Sequence, residues 1–88
     1  MLPFVPDHKD VARRLVNSIF MDAERVGTNV RGYRAERMDA ERIGAVHDAV
    51  FRLCPTGGED IDSIWQRCVT AINDQNRNIE RRLKKLLQ

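Results

Sequence analysis

The chain has 88 residues, 15 Lys and Arg against 13 Asp and Glu for a formal net charge of +2, and 42% hydrophobic residues. That length predicts one small domain (1–88), and the apolar content is too high for a solvated disordered tail. A domain this small buries only about 60% of its unfolded surface, so an enclosed metabolite cleft would compete with its core, and the expectation is a binding module, not an enzyme, with no cofactor.

Residues 1–6 read as a short extended lead-in, without the basic and apolar regions of a signal peptide. Asp7 is placed to cap a helix in which Val11, Ala12, Leu15, Val16, Ile19 and Phe20 recur at three- and four-residue intervals. Asp22 to Val26 adds one further turn, with Gly27 as its left-handed stop, and 28–37 is predicted to be a basic loop without strand pairing. Asp39 caps a second long helix whose stripe, Ile43, Val46, Val50, Phe51 and Cys54, ends at Pro55. Thr56-Gly57-Gly58 links it to a last helix starting near Asp60, with Ile61, Ile64, Trp65, Cys68, Val69, Ile72, Ile79 and Leu83 on one side. Gln75 and Asn76 interrupt that stripe. The predicted fold class is therefore all-α, a compact single-domain bundle of four to five helices with a long C-terminal helix and a core over about 7–84.

Charge is distributed in blocks: −1 over 1–24, +3 over 25–37 (Arg25, Arg31, Arg34 and Arg37 against Glu36), −4 over 38–66, and +4 over 67–88. Salt screens over about 8 Å at physiological ionic strength, so a partner feels these patches more than the total. Twelve of the fifteen cations are arginine, whose planar fork suits phosphates and guanine edges, although gene base composition produces the same bias. At about 100° per residue, the polar face of the last helix gathers Arg67, Asn73, Asp74, Arg77, Arg81, Lys84 and Lys85. A helix of about 25 residues is roughly 37 Å long, more than a globule of this size spans, so its cationic last turns are expected to overhang the body.

His8, His47, Cys54 and Cys68 lack the close ligand pairs of zinc sites, and no orienting group supports Cys54 with His47 as nucleophile and base. Both cysteines read as reduced core thiols. Trp65, among Ile61, Ile64 and Cys68, reads as a core anchor before a base-stacking platform. No apolar run approaches the roughly 20 residues needed to cross a bilayer, so no membrane partner is expected.

The order of features resembles the BEN domain. It is carried by an Ala-Arg-Arg-Leu helix ending Ile19-Phe20, then Asn29-Val-Arg-Gly32, then Met38-Asp-Ala-Glu-Arg-Ile43 leading to Ala49-Val-Phe51 and Cys54-Pro55. Trp65-Gln-Arg-Cys-Val69, Ala71-Ile-Asn73 and Arg77-Asn-Ile-Glu-Arg-Arg82 complete it. BEN domains are helical modules of chromatin and transcription factors and of some large DNA viruses, and many bind DNA sequence-selectively as repressors or adaptors. The resemblance implies a nuclear protein (the host nucleus if viral) that binds double-stranded DNA through Asn73 to Lys85. In that reading Arg77, Arg81, Arg82, Lys84 and Lys85 engage phosphates, while Asn73, Asn78 or Arg77 probe base edges. Arg31 and Arg34 reach an adjacent minor groove or backbone. Where the family commonly has Cys-Arg-Asp, this chain has Asn76-Arg77-Asn78, exchanging an acceptor for cytosine N4 for an amide that suits adenine. Pairing of two copies on DNA and association with chromatin or corepressor proteins fit the same picture. The alternative is a chromatin-associated adaptor without intrinsic DNA binding, using the acidic middle block or Leu83, Leu86 and Leu87.

Overall fold

A computed structural model describes residues 7–87. The proposed lead-in, 1–6, lies outside these residues. Among the described residues four helices occur in the order α1 (His8–Ile19), α2 (Asp22–Arg25), α3 (Ala40–Leu53) and α4 (Ile61–Leu86), and these residues form a compact, mostly helical domain with 69% helix. Between α2 and α3 lie two two-residue strands, β1 (Thr28–Asn29) and β2 (Glu36–Arg37).

The strand pair corrects the strand-free loop expected over 28–37. β1 and β2 pair in parallel, Thr28 opposite Glu36 and Asn29 opposite Arg37, with Glu36 N–H donating to the Gly27 carbonyl (3.1 Å) and Met38 N–H to that of Asn29 (2.9 Å). No alternating pattern announces so short a ladder. It forms because Gly27 and Gly32 take φ of +72° and +77°, which lets the chain reverse and run alongside itself.

Helix boundaries follow local chemistry. The Asp39 carboxylate accepts Glu41 N–H (3.3 Å) and that of Asp60 accepts Ser63 N–H (3.1 Å), as N-caps do. Asp7 occupies the N-cap position of α1, but its side chain makes no capping bond. Its backbone carbonyl instead receives Val11 N–H at 3.0 Å. α3 stops at Cys54, just before Pro55, where α-helical backbone is disfavoured.

α1 packs against both α3 and α4. Ala12, Val16 and Phe20 from α1 and its C-cap, Ile43, Val46 and Val50 from α3, and Ile64, Cys68, Val69 and Ile72 from α4 form one core, closed by Val30 and Met38 of the connecting segment. Trp65 and Phe51 pack against that core half-buried. Ile61, expected on the apolar side of α4, is exposed in the first turn of that helix.

The body measures 45 × 31 × 18 Å with a radius of gyration of 14.0 Å, against about 12 Å for a compact globule of this length. The excess reflects α4, whose 26 residues extend about 39 Å. From Arg81 to Leu87 only Leu83 is half-buried, so the cationic end of α4 projects from the body.

Candidate nucleic-acid interface

Arg77, Asn78, Arg81, Arg82, Lys84 and Lys85 are all exposed along α4, and Arg31 and Arg34 are exposed on the connecting segment. The fold brings Arg77 of α4 together with Arg31 and Arg34 on one side. A groove of about 520 Å³ runs between the segment and α4, lined by Arg31, Tyr33, Arg34, Asn73, Arg77 and Glu80 among others. Arg81 and Lys84 follow Arg77 along the same side of the helix at four- and seven-residue spacing.

The connecting segment is held in shape by its own polar groups. The Asn29 side-chain carbonyl accepts the N–H groups of Gly32 and of Tyr33 (3.1 Å for the latter), and its amide donates to the Tyr33 carbonyl at 2.7 Å. Arg34 sits in the left-handed region at φ 55°, an uncommon conformation for a side-chain-bearing residue, with its guanidinium 5.3 Å from the Tyr33 ring centroid. Asn73 is half-buried, and its carbonyl accepts Val30 N–H at 3.0 Å. One side of this expected base reader is thus committed to fastening the segment onto α4.

Arg25 is a correction to the charge map. Counted in the basic block, it is fully buried, which leaves +2 on the exposed part of that block. Its Nε donates to the Asn76 carbonyl at 2.6 Å, and its terminal nitrogens donate to the carbonyls of Asn17 and of Gln75, the latter at 2.8 Å. The two amides that interrupt the apolar stripe of α4 are its partners. Asn76, itself 2% exposed, passes the connection on through its NH₂ to the Thr28 carbonyl at 3.3 Å. Burial lowers the Arg25 pKa, opposed by nearby Asp22, yet a guanidinium stays charged. Sequence reasoning missed this role because its partners lie 50 and 51 residues away.

Asn78 does not share a groove with its neighbour Arg77. It lines a second cleft of about 570 Å³ on the other flank of α4, together with Lys9, Arg13 and Arg67. Arg82, five residues on from Arg77, is turned toward that flank too. Lys9 and Arg13, four apart on α1, were not among the expected site residues; their spacing on one helix face was the available signal. Four cations around the interface hold surface carboxylates: Arg13 with Asp10, Arg77 with Asp74, Arg67 with Glu59 (2.6 Å) and Lys84 with Glu80 (3.3 Å). Exposed pairs of this kind contribute about 0–1 kcal/mol each, so a phosphate can displace the carboxylate at little cost.

Cys54 and Cys68 are free and buried, and burial is the main cause raising both thiol pKa values. Among the described residues, no three His, Cys, Asp or Glu side chains are grouped to hold a metal ion, and no helix is long and apolar enough to cross a membrane. Compared with models of protein families, curated proteins and solved structures, the chain finds no match.

Proposed function

We propose that this protein is a double-stranded DNA-binding module that lays the basic face of α4 in a major groove. The observation that carries the reading is the convergence of Arg31 and Arg34 with Arg77 around one groove, continued by Arg81 and Lys84 along the projecting end of α4. A helix in the major groove presents side chains to base edges and to the backbones on either side. Arg77 and Asn78 lie nearer the body and are the candidate base readers. Arg81, Arg82, Lys84 and Lys85 contact phosphates, and Arg31 and Arg34 reach the adjacent backbone or minor groove. In function this makes the chain a BEN-like, sequence-selective module of a nuclear transcriptional regulator, most simply a repressor.

Fluorescence anisotropy with a random-sequence duplex at two salt concentrations tests the reading. If five of these cations neutralise phosphates, log affinity falls with log salt at a slope of about −4.5, so doubling the salt weakens binding about 20-fold. Arg81→Ala and Lys84→Ala weaken all duplexes alike, whereas Arg77→Ala or Asn78→Ala costs about 1–3 kcal/mol on a selected site and much less on random DNA. Failure to bind at about 10 μM in low salt would favour the protein-adaptor reading instead. That second reading draws on Leu86 and Leu87, which are 79% and 88% exposed at the end of α4.

A further inference from the structure

A separate cleft of about 310 Å³ lies where the connecting segment crosses α3 and α4. Arg31 and Arg37 stand on one side, His47 and Trp65 on another, and Gly44 of α3 forms part of the floor. Neither arginine has a carboxylate partner among the described residues, and no acidic side chain lines the cleft. His47 meets Trp65 edge-on, with ring centroids 4.8 Å apart, so the walls combine two cations with aromatic surface.

The position of Arg37 is fixed by backbone. It pairs with Asn29 across the β1–β2 ladder, and a Cβ added to Gly32 would lie 2.9 Å from the Arg37 Cβ. The segment therefore passes close over the arginine stem and holds it at the cleft. At Gly44, by contrast, an added Cβ would meet nothing within 4 Å, so the space above α3 is open and packing does not demand glycine there. Arg31 lines both this cleft and the α4 groove, so the two adjoin at one arginine.

We infer that this cleft seats a phosphodiester and its sugar from the DNA strand that leaves the α4 groove. The inference rests on the DNA-binding reading. Arg31 and Arg37 supply the charge-assisted hydrogen bonds that phosphate oxygens accept, and Trp65 with His47 supplies an apolar wall for the sugar. A duplex keeps its bases stacked, so only its backbone enters without the cost of extruding a base.

Trp65 is the chain's single tryptophan and so reports on the cleft directly. Tryptophan emission and the anisotropy of a labelled random-sequence duplex are followed in one titration, and the expected result is an emission change saturating at the same duplex concentration as the anisotropy. Gly44→Leu, which fills the open space with a better helix former, should abolish the emission change and weaken binding about 3- to 10-fold, its fold verified by circular dichroism. Arg37→Ala should flatten the salt slope by about one unit. Arg81→Ala should weaken binding yet leave the full emission change at saturation. Duplex binding without any emission change, or with Gly44→Leu and Arg37→Ala binding as the parent does, overturns the cleft assignment and leaves the α4 reading standing. Absence of any anisotropy change in the parent overturns both.

Discussion

Replacing Arg25 tests whether its buried network forms in solution. The guanidinium is fully buried and, among the described residues, bonded to side-chain carbonyls of Asn17, Gln75 and Asn76, with no carboxylate among those partners. Asn17 is exposed and Gln75 only half-buried, so water can replace the arginine at those two. Asn76 is enclosed, and in Arg25→Met its carbonyl loses its donor while methionine fills much of the space of the arginine stem. An unsatisfied buried acceptor costs about 1–3 kcal/mol, and relief from burying a charge offsets part of it, giving an expected loss of about 1–2 kcal/mol. Asn76→Leu is worse, about 3 kcal/mol or more, because it strips a buried cation of an acceptor and removes the link to Thr28. The double variant removes both partners together, and its loss should fall short of the summed single losses by at least about 1.5 kcal/mol. Urea unfolding followed by Trp65 emission reads all four proteins of the cycle. Single losses that add to within about 0.5 kcal/mol would refute the reasoning, since uncoupled residues do not form a buried network.

Gly32→Ala forces a side chain into φ +77° and toward the Arg37 Cβ at 2.9 Å, so a thermal melt should show a loss of about 1–2 kcal/mol. Arg42 donates hydrogen bonds to Glu24 (2.8 Å) and Asp39 (2.9 Å), and these lower both carboxyl pKa values in the folded state. Their contribution is present above the ordinary values of 4.5 and 3.8 and disappears as pH falls through the lowered ones. Melting temperatures of the parent and Arg42→Ala should therefore differ at pH 7 and converge in acid, whereas a constant gap down to about pH 2 would contradict the assignment. With both thiols buried and their pKa values raised, Cys54 and Cys68 should resist a thiol reagent in the native protein and react once it is unfolded, and a reductant should leave the melting temperature unchanged.

Local sequence determined the helices of this protein and their ends. Apolar residues at three- and four-residue spacing specify α1, α3 and α4, the carboxylates of Asp39 and Asp60 cap two of them, and Pro55 closes α3. These signals act within one or two turns, so no knowledge of the remaining chain is needed to read them. The exposed basic face of α4 and its projection beyond the body follow from the same periodicity and from length alone. Tertiary structure decided what the amides and arginines do. Gln75 and Asn76 look like defects in an apolar stripe until Arg25 arrives from 50 and 51 residues away, and Arg25 looks like surface charge until those amides enclose it. Asn73 reads as a base contact until Val30 N–H reaches it from the connecting segment. A polar side chain has the same local signature whether it meets water, a ligand or another buried group. Which of these it meets depends on the segments that fold onto it, and only the assembled core brings those segments together.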